Sequence, residues 1–145
     1  MYDSLRDKAN MIISVLKEIP VVKKCDIYGS LATNTHDDLS DIEVSWHWHN
    51  DMELFVVTEG CADVTVGNER YILTAGNGCF INSGVIHSMR DRDNSGCRYH
   101  SIVFHPSLVG GSAESVYYQA YVMPVMQNTA FPFTIFDIDD AFFSE

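Results

Sequence analysis

Trp46-His47-Trp48-His49-Asn50-Asp51-Met52-Glu53-Leu54, with Gly60 following, is the stretch whose reading decides the fold. His47 and His49 stand at i and i+2, so on a strand both imidazoles share one face while Trp46 and Trp48 take the other. Glu53 comes four residues after His49, and His87 stands alone further along. Three imidazoles and a carboxylate suit Fe(II), Mn(II), Ni(II) or Zn(II), with availability rather than affinity choosing among them. A small barrel could gather such a set at one point. The tryptophans would then turn to its outside.

The surrounding sequence supports strands. Short strands are expected over about 46–50, 53–58, 62–66, 70–74, 79–81, 86–90 and 98–104. Turn-forming clusters separate them: Glu59-Gly60, Gly67-Asn68, Ala75-Gly76-Asn77-Gly78, Asn82-Ser83-Gly84 and Asp93-Asn94-Ser95-Gly96. Seven short strands with such punctuation predict a mainly β sandwich or barrel. Beyond them, a short helix is expected around Ala113–Val122, then a Pro-interrupted segment padding the barrel mouth. The tail Phe136–Glu145 is expected to fray. His100 shares a strand face with Arg98, Ile102 and Phe104 and reads as a packed or hydrogen-bonded side chain.

The order His47-x-His49-x3-Glu53-x6-Gly60 resembles the first sequence motif of the cupins. Gly76, Gly84 and His87 resemble the second, although Asn82 replaces its proline and Asp91 its final asparagine. The resemblance implies a double-stranded β-helix, a jelly-roll-like barrel, with His47, His49, Glu53 and His87 at the four positions that bind metal in metal-dependent cupins. The wording around these residues, Ser45–Leu54 together with Glu59-Gly60, Gly76-Asn77-Gly78 and Ile81–Ser88, is similar to the sensor half of AraC-type transcription regulators. That resemblance implies a barrel binding a small effector, often a sugar, and homodimerisation through a neighbouring helical part. In such regulators, DNA is read by separate helix-turn-helix units, which the sequence up to Glu145 does not include. On this reading the four residues serve an effector or a metal, and no catalytic residue is assigned. An alternative keeps the metal and makes the chain a metal-dependent cupin enzyme of dioxygenase or isomerase type.

The first 45 residues read differently. Leu5, Ala9, Ile12, Ile13, Leu16 and Ile19 keep helical spacing until Pro20. An expected strand over Lys24–Tyr28 precedes Gly29-Ser30, and Asp41-Ile42-Glu43 follows ten residues later. A Gly-Ser turn allows close approach to phosphates, and acids at i and i+2 on one strand face would hold Mg²⁺. Helix, strand, Gly-Ser and Asp-x-Glu resemble the opening of the nucleotidyltransferase superfamily. The resemblance implies phosphate contacts at Gly29 and Ser30 and metal contacts at Asp41 and Glu43, and nucleotidyl transfer is the second alternative function. The expected organisation is therefore a nucleotidyltransferase-like fragment over 1–45, a helix with a hairpin-like appendage, and a cupin sensor domain over 46–145.

Charge supports the division. Residues 1–45 carry 5 basic and 8 acidic groups, whereas 46–145 carry 4 and 12, for a total of −11. So acidic a chain is not built to grip DNA or an anionic membrane by itself. No apolar run approaches the about 20 residues a membrane helix needs. Cys25, Cys61, Cys79 and Cys97 form no C-x-x-C pair, and no signal peptide is visible. Free thiols and a cytoplasmic location are expected.

Overall fold

β2 (Met52–Glu59) shows how the alternation becomes a fold. Met52 and Leu54 point to one side of their sheet and join one apolar cluster, while Phe55 and Val57 point to the other side and join a second. β2 is thus buried on both faces, and Glu53, in phase with Phe55 and Val57, is carried into the interior between two sheets. The computed structural model describes residues 43–138. Among them the strands are β1 (Glu43–His47), β2, β3 (Cys61–Val66), β4 (Glu69–Thr74), β5 (Asn77–Ile81), β6 (His87–Asp91), β7 (Arg98–Phe104) and β8 (Phe133–Asp137). They build two four-stranded antiparallel sheets, ordered β1-β6-β3-β4 and β7-β2-β5-β8. This is the expected mainly β, jelly-roll-like architecture.

The lumen between the sheets is filled by Phe55, Val57, Ala62, Val64, Val66, Leu73, Cys79, Ile81 and Met89. Burying side chains such as Ile81 and Val57 is worth about 1.5–3 kcal/mol each. The second cluster lies outside the β7-β2-β5-β8 sheet. There Met52, Phe80, Phe104 and Phe136 meet Val122 and Val125. The latter two come from a π-helical turn (Tyr118–Val122) that runs into the short helix α2 (Met123–Met126), after α1 (Ser107–Gly110). Pro124 follows the π-helical turn within this continuous helical run.

Two expectations for this region are corrected. The segment after the helix packs on the outer face of a sheet and does not pad the barrel mouth. Phe136 is no frayed residue: it is buried in β8, which pairs with β5. The sheet needs a glycine there, since a Cβ on Gly78 would lie 2.2 Å from the Phe136 ring.

The expected N-terminal helix and the Lys24–Tyr28 strand lie outside the described residues, together with Gly29, Ser30, Asp41, Cys25 and residues 139–145. Glu43 lies within them. It is the exposed first residue of β1, opposite Arg90 of β6, so the compositional seam at residue 45 falls inside a barrel strand. Cys61, Cys79 and Cys97 are free, and burial pushes the Cys97 thiol up to about 11.

Candidate metal centre

A bulge brings the histidines inside. Val44 opposes Met89 and His47 opposes His87, so three steps along β1 match two along β6. Val44 packs into the lumen, and without the extra residue strict alternation would send Trp46 inward and His47 outward. A bulge re-aims the side chains that follow it. Trp46 and Trp48 accordingly stand outside, 55% and 63% exposed. They are on the expected face, but solvated rather than packed.

The structure brings all four barrel candidates together. One ligand atom from each of His47, His49, Glu53 and His87 lies within 4.8 Å of the others. The His47 and His87 rings meet edge-on at 4.2 Å between centroids. His87 is buried, and the Glu53 side chain is 12% exposed.

Each imidazole is held from behind. His47 Nδ1 lies 2.9 Å from the Ser45 carbonyl oxygen, His49 Nδ1 2.9 Å from that of Asp51, and His87 Nδ1 2.8 Å from that of Val85. A carbonyl oxygen can only accept, so each Nδ1 carries a hydrogen and donates it. In the neutral ring this leaves Nε2 with a lone pair as the atom free to bind a metal, and outer hydrogen bonds of this kind orient metal-binding histidines.

Glu53 completes the set. Its Oε2 lies 3.1 Å from His49 Nε2 and 3.0 Å from His87 Nε2, while its Oε1 accepts a 2.5 Å hydrogen bond from Ser101 Oγ. Burial alone would raise the Glu53 carboxyl, yet the bonds from His49, His87 and Ser101 hold it well below the ordinary carboxylate range. The bond to Glu53 lifts His49 above the usual 6.5, against burial. Nε2 lone pairs and a carboxylate oxygen repel when they face one another, so the cluster requires positive charge at its centre, supplied by protons or by a cation. The donor set fits a divalent transition metal held by His47, His49, Glu53 and His87.

The departures from the second motif have separate structural roles. Asn82 donates its amide to the carbonyls of Val125 (2.6 Å) and Phe131 (3.1 Å), and its backbone N–H donates to Pro132. A proline could make none of these bonds. Asp91 accepts from Ser95 Oγ and from the N–H groups of Ser95, Gly96 and Cys97, fixing a turn in which Asp93 and Asn94 have positive φ. It belongs to that turn. His100 is exposed on β7, outside the cluster.

Ser101 was not among the sequence candidates. Alternation along β7 shows that Tyr99, Ser101 and Val103 share a face. That this face meets Glu53 follows only from the pairing of β7 with β2.

The fold is a two-sheet β barrel with a His/Glu cluster in its lumen, and comparison with known proteins narrows its class. The model of the AraC-like ligand binding domain matches residues 34–131, and the chain belongs to that family. A Bacillus subtilis (strain 168) protein described as the uncharacterized HTH-type transcriptional regulator YdeC is 30% identical over 87 residues. The match covers 60% of this chain and 29% of the regulator's length. Among solved structures, a variant of B. subtilis oxalate decarboxylase aligns with a TM-score of 0.39 at 20% identity, over 50% of this chain and 20% of that one. Vicilin from hazelnut (Corylus avellana) aligns at 0.37 and 19%, over 55% and 26%.

The nucleotidyltransferase resemblance finds no support. The family match takes in Asp41 and Glu43, and Glu43 belongs to a strand of the barrel. No helix among the described residues is long and apolar enough to cross a membrane.

Proposed function

We propose that this chain is the effector-sensing part of an AraC-type transcription regulator, and that its lumen takes a small polar effector at a divalent metal held by His47, His49, Glu53 and His87. The carrying observation is the convergence of Glu53 Oε2 with imidazoles whose Nδ1 atoms are all committed to main-chain carbonyls. Such a metal supplies a Lewis-acid point for a hydroxyl or carboxylate oxygen of the effector. The protein's own part is to orient the four ligands and, through the apolar lumen behind them, to keep bulk water away. Reading DNA belongs to other parts of such a regulator, in keeping with the acidity of this chain. Homodimerisation is proposed from family membership.

Elemental analysis of protein purified without a nickel-affinity step tests the metal. Calorimetric titration with monosaccharides, disaccharides, polyols and small carboxylates, on the intact chain and on His87→Ala, tests the effector. Metal near one equivalent and an effector lost with His87→Ala are expected. A folded chain that binds no metal, or an effector indifferent to His87, would overturn this reading.

The same four-residue donor set also supports a second reading, a metal-dependent enzyme. Four protein ligands leave room at an octahedral ion for a reacting molecule as readily as for an effector. Turnover of a bound ligand by the metal-loaded chain would select it.

A further inference from the structure

Each member of the His/Glu cluster is held in place by one outer partner, and three of these are main-chain carbonyls: Ser45 behind His47, Asp51 behind His49 and Val85 behind His87. The fourth is a side chain. Ser101 lies on β7, opposite Phe55 in register, so it is a diagonal neighbour of Glu53 on the lumen side of the sheet. Its hydroxyl has one hydrogen, and the 2.5 Å separation from Glu53 Oε1 is that of a short, charge-assisted bond.

We infer that Ser101 is a positioning residue for the metal: by occupying Glu53 Oε1 it turns Oε2 alone toward the three imidazoles and makes Glu53 a one-oxygen ligand. The inference rests on the metal reading above and adds how the carboxylate is set. A glutamate's terminal torsion is soft and broadly populated, so packing against the aliphatic stem does not by itself choose which oxygen faces inward. The Ser101 hydrogen bond chooses. With a metal bound, the same bond would draw density from the carboxylate and disfavour two-oxygen chelation, which would keep a coordination position for the effector. Because the imidazoles are held by backbone, Ser101 is the outer partner in the set that a side-chain substitution removes.

The test uses Co(II), whose visible bands report coordination. The parent chain, Ser101→Ala, Ser101→Thr and Ser101→Val are titrated with Co(II), and their metal-free unfolding is followed in urea. Loss of the hydroxyl is expected to weaken Co(II) binding about 10–100-fold, the usual effect of removing an outer-shell partner. The bands should also weaken and shift as Glu53 becomes a two-oxygen ligand. Thr and Val match in shape and differ in the hydroxyl. Ser101→Thr should therefore stay near the parent in affinity and spectrum, while Ser101→Val follows Ser101→Ala. Parent-like affinity and bands in Ser101→Ala, or equal behaviour of Thr and Val, overturn the inference while leaving the metal site standing. Failure of the parent chain to bind Co(II) overturns the metal reading and this inference with it.

Discussion

Metal uptake by this site should expel a proton. His49 Nδ1 donates to the Asp51 carbonyl, and Nε2 faces Glu53 Oε2 at 3.1 Å. Only a protonated Nε2 makes that contact attractive, which is why the Glu53 bond lifts His49 above 6.5. A metal needs the same lone pair, so below the raised value it must displace the proton. Affinity should then fall about tenfold, or about 1.4 kcal/mol, for each pH unit. Above that value the profile should flatten. Stability runs the other way in the metal-free chain. A raised native pKa contributes stability that is complete below the unfolded value near 6.5 and is lost as pH rises through the native one. Zn(II) or Mn(II) titrations between about pH 5.5 and 8.5, in two buffers of different ionisation enthalpy, count the protons released. Glu53→Gln should bring His49 back toward 6.5 and weaken the metal at every pH. Affinity independent of pH, with no proton released, would refute the argument.

Three further outcomes test the frame around the site. Asn82→Ala removes two hydrogen bonds to the carbonyls of Val125 and Phe131 and should cost about 2–3 kcal/mol in urea unfolding. Asp91→Ala frees the donors of Ser95, Gly96 and Cys97 and should cost about 1–3 kcal/mol. Burial raises the Asp91 carboxyl, but those bonds together hold it below the ordinary 3.8. Its contribution is therefore present above that value and lost as acid titrates the native carboxylate, which thermal melts at falling pH would follow in the parent and not in the variant. Gly78→Ala drives a methyl into the Phe136 ring and should cost about 1–3 kcal/mol while lifting β8 from β5, visible as faster amide exchange in β8.

Much of the barrel was legible because strand information is local. Short apolar or alternating runs such as those of β2 and β3, and the Gly- and Asn-rich turns between strands, need no distant partner to be read. The spacing of His47, His49, Glu53 and His87 marked the donor set for the same reason. β8 escaped because Phe133–Asp137 carries a single period of alternation beside an acidic tail, and it becomes a strand only by pairing with β5. The 107–126 region escaped in part because its apolar residues suit the outside of a sheet as well as a barrel mouth.

The chemistry depends more heavily on tertiary structure. The sequence by itself determined which donors are present, their spacing, and a β fold able to gather them. It did not determine that a bulge between Val44 and His47 would reverse the parity of β1, since a bulge exists only against the partner strand. Nor did it determine which imidazole nitrogen faces the cluster. That choice belongs to the carbonyls of Ser45, Asp51 and Val85, which carry no side-chain identity to read. Ser101, 48 residues from Glu53 in sequence, comes within a hydrogen bond of it only because β7 lies beside β2. Alternation can say which way a side chain points, but the partner it meets is decided by how the strands pair.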